Sequence, residues 1–408
     1  SLDANTTGAD NTAIGDNALG ANTTASENVA VGSSALLVNT TGAYNVAIGP
    51  YALDANNASR NIAIGYGSGG AVTTGASNVA IGVNAYKTAT TGAYNVAIGD
   101  EALTDQTTAS NNTGVGYRAL YANSTGAANV AVGANALAAN TTADNNVAMG
   151  RSAMASNTTG TSNTAVGHNA MSTNTTASNN TAVGYKALDA NTSGTGNVAV
   201  GTDAGLANTT GGDNTAVGYN ALEANTTASY NTGLGKDALQ ANTTGASNTA
   251  VGRAAMEANT TASNNTAVGA SALTANTTGT ENVAVGYNAL DANTTANYNI
   301  GIGSNALGVN STGANNVAVG TFALDANTTA DNNTGLGYQA LSANSTGASN
   351  TAVGSYALVT NTTASNNTAV GYSALLYNTT GTNNVAIGYQ ALDANTTTSR
   401  NIAIGTDT

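Results

Sequence analysis

One repeat dominates this sequence of 408 residues. The segment Asn-(Thr/Val/Ile)-(Ala/Gly)-(Val/Ile/Leu/Met)-Gly occurs 24 times between Asn11 and Asn401, and its opening asparagines are 17 residues apart. The one exception is the 16-residue step from Asn45 to Asn61. Such periodicity is typical of repeat architectures, in which each repeat packs only on its neighbours. We therefore expect one continuous array over residues 1–408, with no linker and no second domain.

Each repeat is called a coil here, and its positions are numbered from the opening asparagine. The coil 214–230 begins with alternating β-branched and small residues that end at Gly218, as in a short strand. Asn225-Thr226-Thr227 is typical of a turn. A helix–turn–helix repeat needs about 34 residues, and no 3.6-residue apolar period is present. The sequence thus predicts an all-β protein, a single-stack parallel β-solenoid with 24 coils.

The composition fits a narrow stack of this kind. Large apolar side chains are needed at only two or three positions per coil, such as Val217 and Leu222, while Ala and Gly close the interior. Asparagine recurs at positions 1 and 12 (Asn214 and Asn225), where stacked amides are expected to form ladders along the axis. At about 4.8 Å per coil, the array would be a rod about 115 Å long.

A second period is superimposed on the first. The residue at position 15, after the Thr-Thr pair, alternates between Ala and Gly over long stretches, as in Ala228, Gly245 and Ala262. This alternation indicates a double coil of 34 residues as the underlying unit.

Composition also argues against several classes of function. Eight basic residues stand against 21 acidic ones, which gives a net charge of −13 and no basic patch for nucleic acid. There is no cysteine, and His168 is the only histidine, so neither a catalytic triad nor a histidine-based metal site is expected. Five aspartates share position 10, and we expect them to be too far apart to act as carboxylate pairs: Asp54, Asp189, Asp291, Asp325 and Asp393. We therefore predict no enzyme, no catalytic residue, no cofactor and no metal.

No apolar run approaches the roughly 20 residues that cross a bilayer, so membrane insertion of this segment is not expected. Residues 1–5 already lie inside a repeat and carry no signal-peptide pattern. We expect the sequence to be a segment of a longer chain, or one from which a leader has been removed.

Residues 50–106 are the most irregular stretch. They contain the only proline, Pro50, the short step near Asn57, and Gly69 and Tyr86 at the position where other coils carry leucine. We interpret the stretch as a local bulge, with a docking site as the alternative. Gly65–Gly70 formally matches a dinucleotide-binding pattern, but no helix follows it, so the phosphate-binding context is missing.

Two sets of residues are candidate sites. Tyrosine recurs at position 6, where a common register predicts one edge of exposed aromatic rings that contact sugars or a partner chain; simple packing at the strand corner is the alternative. These residues are Tyr66, Tyr117, Tyr185, Tyr219, Tyr287, Tyr338, Tyr372 and Tyr389. Asn-(Thr/Ser)-Thr segments formally match glycan acceptors in exposed turns, although the match is nearly automatic in so Asn- and Thr-rich a repeat. The acceptors considered are Asn5, Asn22, Asn242, Asn259 and Asn293.

The Asn-Val-Ala-Ile-Gly segments at 45–49, 78–82, 95–99 and 384–388 resemble the Ser-Val-Ala-Ile-Gly strand of YadA-like head repeats. The longer repeat is similar to repeats of large bacterial surface proteins and phage tail-fibre-like proteins. The resemblance implies a left-handed β-roll, packing of three chains into one head, and a location on a cell or virion surface. The 17-residue period is longer than in that family, and the sequence shows no heptad stalk, neck or anchor segment.

The leading hypothesis is a non-enzymatic extracellular rod of a surface adhesin, tail fibre or filament, which attaches through a repeated edge. Its expected partners are copies of itself, as a homotrimer or an end-to-end filament, and a host or environmental surface, with carbohydrate as one candidate. The alternative is a subunit of an extracellular matrix filament with a glycan coat. Ice binding is a third hypothesis; it needs a flat Thr-x-Thr strand, whereas Thr226-Thr227 lies in a predicted turn.

Overall fold

The computed structural model describes all residues from Ser1 to Thr408 and contains strands but no helix. It comprises two compact units, Ser1–Asp203 and Ala204–Thr408, which are described separately. The strands of the first unit are β1 Thr12–Ile14, β2 Val29–Val31, β3 Val46–Ile48, β4 Ile62–Ile64, β5 Val79–Ile81, β6 Val96–Ile98, β7 Thr113–Val115, β8 Val130–Val132, β9 Val147–Met149, β10 Thr164–Val166, β11 Thr181–Val183 and β12 Val198–Val200. The strands of the second unit are β13 Thr215–Val217, β14 Thr232–Leu234, β15 Thr249–Val251, β16 Thr266–Val268, β17 Val283–Val285, β18 Ile300–Ile302, β19 Val317–Val319, β20 Thr334–Leu336, β21 Thr351–Val353, β22 Thr368–Val370, β23 Val385–Ile387 and β24 Ile402–Ile404.

Within each unit, every coil contributes one strand, and consecutive strands pair in parallel. Thr249 pairs with Thr266 and Val251 with Val268, an offset of one 17-residue coil. Only β3 and β4 differ, because Val46 pairs with Ile62 after 16 residues. The predicted all-β parallel β-solenoid is therefore confirmed in both units. Its left-handed sense stays a prediction, as does a single array over residues 1–408. No helix is present that could cross a membrane.

The interior of each coil is filled mainly by the residues at positions 3 and 9. Position 3, the alanine or glycine at the centre of each strand, faces inward, and the leucine or methionine at position 9 packs from the opposite wall. Leu222 is buried as predicted, but Val217 is not: it is half-exposed, and Ala216 fills the interior instead. Because successive strand residues point to opposite faces, an inward asparagine at position 1 places positions 2 and 4 outward. The expectation of an interior Val217 was wrong for this reason.

Both predicted asparagine ladders are present. The backbone N–H of Asn265 donates to Oδ1 of Asn248, at position 1 of the preceding coil, over 3.0 Å. At position 12, Nδ2 of Asn259 donates to Oδ1 of Asn242 over 2.8 Å. Asn248 and Asn259 also donate to the same carbonyl oxygen, that of Ala262, at 2.8 and 3.1 Å. The buried amides thus satisfy one another between coils and satisfy the turn within a coil.

The strand ends at a glycine because adjacent coils approach closely there. Gly218 has φ +136°, and a Cβ added to it would lie 2.5 Å from the carbonyl oxygen of Gly235 in the next coil. A side chain at this position would therefore push two coils apart.

The Gly/Ala alternation at position 15 has a physical cause. A Cβ added to Gly245 would overlap the carbonyl oxygen of Ala262 in the following coil. The next N–H in the chain, that of Ala246, donates to Oγ of Ser263 over 3.0 Å. The same pairing of a small residue with Ser, Asp or Asn at position 16 recurs, as in Ala127 with Asp144. Two successive coils therefore differ in sequence because one caps the other, which accounts for the 34-residue period.

The 16-residue coil lacks one turn residue, and the strand ladder passes through it without a bulge. Elsewhere a threonine carbonyl accepts two N–H groups of the preceding turn, as Thr260 does from Thr243 and Thr244. Here Oδ1 of Asn57 accepts from the N–H groups of Thr40 and Thr41, at 2.9 and 3.0 Å. A side-chain amide thus takes the place of the missing peptide group. The predicted bulge is replaced by a shortened turn.

Tyr86 compensates a second irregularity. Its coil carries Ala89 where most coils have the asparagine of position 12, and Tyr86 is fully buried in the leucine position. The phenol donates to the Gly92 carbonyl over 3.0 Å and accepts from Nδ2 of Asn95 over 2.7 Å. Nε2 of Gln106, from the next coil, also reaches it at 3.3 Å. The phenolic oxygen therefore occupies the hydrogen-bonding place of the absent amide.

Candidate functional site

The predicted tyrosine edge is present in each unit, directly after the strand glycine. The in-register coils bring position 6 to the same place in every turn, so these side chains share one side of the stack. All eight predicted tyrosines are exposed, by 42 to 58%. The first unit carries Tyr66, Tyr117 and Tyr185, and the second carries Tyr219, Tyr287, Tyr338, Tyr372 and Tyr389. About half of each side chain is therefore open to solvent, and the other half is covered at the strand corner.

Four rings in successive coils form a continuous aromatic cluster in the second unit. Tyr338 and Tyr356 meet edge to face with ring centroids 5.4 Å apart, and Tyr356 meets Tyr372 in the same way at 5.9 Å. Tyr372 and Tyr389 are stacked at 5.4 Å. Tyr356, at position 7, was not in the predicted set, yet it bridges two coils. The spacing is that of favourable aromatic pairs, so the cluster presents a fixed aromatic surface.

The same edge holds most of the few cations. Five of the eight basic residues stand at positions 6 and 7: Arg118, Arg151, Lys186, Lys236 and Arg253. The guanidinium carbon of Arg118 lies 5.2 Å from the ring centroid of Tyr117, and its Nε contacts Glu101 at 2.5 Å. Nζ of Lys186 lies 5.5 Å from the Tyr185 ring. In a protein of net charge −13, this clustering combines aromatic and cationic groups on the tyrosine edge of each unit. Sequence reasoning missed it, although sorting residues by coil position would have found it.

His168 belongs to this edge and is half-exposed rather than fully solvent-facing. Its ring lies 5.6 Å from that of Tyr185, and Nε of Arg151 approaches its Nε2 at 3.2 Å. These contacts place His168 among surface aromatic and cationic groups.

The candidate glycan acceptors are corrected by the structure. Asn22, Asn242, Asn259 and Asn293 are fully buried members of the position-12 ladder, and each Nδ2 already donates two hydrogen bonds. A glycan on this nitrogen would have no room and would break the ladder. Only Asn5 is exposed, and its Nδ2 donates to the Gly8 carbonyl over 3.0 Å. The apparent turn motif was misleading because the asparagine faces inward and only the threonines face solvent.

Two of the position-10 aspartates line one notch. Asp291 and Asp325 are two coils apart, and Gly308 between them leaves a notch of about 250 Å³ that both carboxylates line. Burial raises the pKa of both carboxyl groups. A glycine at position 10 opens the intervening coil, but the two carboxylates remain two coils apart, so the absence of a carboxylate pair stays a prediction.

The outward strand face is the other exposed surface. Positions 2 and 4 carry Thr, Val, Ile, Leu and Met, and several of these side chains are more than a third exposed, including Ile48, Met149, Leu234 and Leu336. The strand alanines face the interior and are not available to a partner chain. Thr226 lies in the turn as predicted, and its hydroxyl donates to the Thr243 carbonyl over 3.1 Å.

A scan against protein-family models finds no match to this chain, and a search of curated proteins finds no similar sequence.

Proposed function

We propose that this chain is a non-enzymatic extracellular scaffold, part of a surface adhesin, tail fibre or filament, which attaches through its tyrosine edge. The observation that carries the proposal is the repetition of exposed rings in register, closed up into the cluster of Tyr338, Tyr356, Tyr372 and Tyr389. Because the coils repeat, the same weak contact can form many times along one surface. Linked weak contacts raise avidity by factors of about 10²–10⁴ without any new interaction.

Rigidity supports this role. Each coil is tied to its neighbours by strand pairing, by two amide ladders and by threonine hydroxyls that donate to the next turn, as Thr243 does to Thr260. Side chains on such a scaffold keep their spacing, so little ordering entropy is lost when several of them contact a surface at once.

Attachment is tested by coating beads with the full chain and measuring their retention on mucin, cellulose and chitin surfaces under flow. The variant changes Tyr338, Tyr356, Tyr372 and Tyr389 to serine. The matched control changes four tyrosines at position 17, which are 53 to 67% exposed and lie before the strand: Tyr44, Tyr94, Tyr230 and Tyr298. We expect retention on at least one surface to fall at least tenfold in the first variant and to persist in the control. Equal retention of both variants would reject attachment through the edge.

A self-associating filament is the second candidate, and the exposed apolar strand face favours it. A partner chain of the same sequence would cover Leu234, Leu336 and their neighbours at positions 2 and 4. Light scattering across a dilution series separates the possibilities: concentration-dependent assembly that Leu234→Lys and Leu336→Lys abolish supports self-association through this face. A monomer at all concentrations rejects it.

A further inference from the structure

A surface cavity of the first unit lies in the irregular stretch, where the middle one of three coils lacks two side chains. Gly67 and Gly70 occupy positions 7 and 10 of this coil. The coil before it presents Tyr51 and Asp54 at the same two positions, and the coil after it presents Asn84 and Lys87. The result is a notch of about 450 Å³, one coil wide. The gap is confined to this coil, because the coils on both sides carry side chains at positions 7 and 10.

One side of the notch is aromatic. Tyr51 and Tyr66 both line it and meet edge to face, with ring centroids 5.8 Å apart and planes at 79°. Both side chains are about half exposed. Hydrogen bonds between coils fix the backbone beneath them, since Gly67 N–H donates to the Pro50 carbonyl over 3.1 Å and Asn84 N–H to the Tyr66 carbonyl over 2.9 Å. The rings therefore stand on a rigid base.

Two oxygen atoms face the gap that the glycines leave. A Cβ at Gly67 would lie 3.1 Å from Oδ1 of Asn84, and a Cβ at Gly70 would lie 3.3 Å from Oδ1 of Asp54. Oδ1 of Asn84 is enclosed and has no hydrogen-bond partner. Asp54 is half-buried, and burial raises the pKa of its carboxyl group. An enclosed acceptor without a donor is unfavourable by about 1–3 kcal/mol, so a ligand hydroxyl gains affinity if the Asn84 amide turns its Oδ1 into the notch to accept from it.

The charges select the class of ligand. Asp54 places a negative group on one wall of the notch, and Lys87 places a positive group on the other. The two charges together therefore favour neither a cationic nor an anionic ligand. A neutral ring with several hydroxyl groups suits both walls, because its hydroxyls donate to Asp54 and Asn84 and accept from Lys87. Its apolar C–H face packs on an aromatic ring. We propose that this notch binds a single pyranose ring of a neutral carbohydrate.

The binding is tested on the full chain with the methyl glycosides of glucose, galactose, mannose and N-acetylglucosamine. Saturation-transfer NMR detects contact, and titration calorimetry gives the affinity. We expect at least one glycoside to bind. Gly67→Asn should weaken it at least tenfold, because it fills the notch with the residue that other coils carry at position 7. Asn135 and Asn220 adopt φ of +58° and +54° there, close to the +60° of Gly67, so this variant keeps the backbone unstrained.

Two further variants locate the ligand. Tyr51→Ala removes an aromatic wall and should also weaken binding at least tenfold, whereas Tyr287→Ala removes an edge tyrosine outside the notch and should leave the affinity unchanged. No transfer to any of the four glycosides, binding that survives Gly67→Asn, or equal loss in Tyr287→Ala would overturn the proposal. The attachment assay uses tyrosines outside the notch, so failure of one proposal is distinguishable from failure of the other.

Discussion

The position-12 amide ladder makes a quantitative prediction at Asn242. Its Nδ2 donates to Oδ1 of Asn225 and to the Gly245 carbonyl, each over 2.9 Å, and its Oδ1 accepts from Asn259 over 2.8 Å. Asn242→Ala removes all three bonds and leaves the buried Oδ1 of Asn225 without this donor. At a net value of about 1 kcal/mol per hydrogen bond, we expect a loss of about 2–4 kcal/mol in the local stability of this coil.

The chain itself supplies the compensating change. In the coil of Tyr86 and Ala89, a phenol replaces the amide and restores the bond to the position-15 carbonyl. Leu239→Tyr with Asn242→Ala reproduces this pair in a coil that also has glycine at position 15, and it roughly conserves core volume. The new hydroxyl should donate to Gly245 and accept from Asn248, which recovers about 1–2 kcal/mol of the loss.

Native-state hydrogen exchange, read on peptides that cover residues 231–264, measures local opening free energies and does not require the solenoid to unfold in two states. The four proteins of a double-mutant cycle are compared. The reasoning fails if Asn242→Ala changes exchange no more than a surface control such as Thr244→Ala. It also fails if Leu239→Tyr does not rescue Asn242→Ala.

Three further predictions follow from the coil contacts. Gly245→Ala should destabilise its coil by about 1–3 kcal/mol in thermal unfolding, because the added methyl group overlaps the Ala262 carbonyl; Ala262→Gly should cost less than about 1 kcal/mol. Ser263→Ala should speed exchange of the Ala246 amide, since that N–H loses its partner, while Ser229→Ala, which removes the partner of Gly212, should leave it unchanged. Burial raises the pKa of the Tyr86 phenol, so the folded coil keeps a proton that the unfolded chain loses near pH 10. The resulting stability is complete below about pH 10 and falls as pH rises above it. Absorbance at 295 nm should show a tyrosine ionisation that accompanies unfolding, and Tyr86→Phe should abolish that step.

The repeat pattern specifies the fold class of this chain but not the direction in which each side chain faces. Fold class and both amide ladders follow from the 17-residue register alone, because identical positions must stack. The facing of a side chain does not follow, since a three-residue strand is too short to reveal alternation. The sequence therefore predicts an interior Val217 and exposed turn residues at Asn242 and Asn259, and the structure contradicts all three. The burial of the two asparagines depends on where the turn closes, which the strand pattern leaves open.

In the irregular stretch, the departures from the repeat, and not the repeat itself, indicate where the structure changes. Two of these departures are compensated. Tyr86 compensates for Ala89, and the Asn57 amide replaces a missing peptide group. Both can be recognised in the sequence once residues are aligned by coil position. Gly67 and Gly70 have no such compensation inside the core. They open the surface instead, which makes the notch the feature of this stretch with functional interest.

Cryo-electron microscopy of the native assembly tests the central proposal most directly. The coils should appear about 4.8 Å apart, and the edge that carries Tyr338, Tyr372 and Tyr389 should face solvent, whether the assembly is a three-fold rod or an open filament. An assembly in which this edge is buried between copies of the chain would contradict attachment through the tyrosines and assign them to self-association instead.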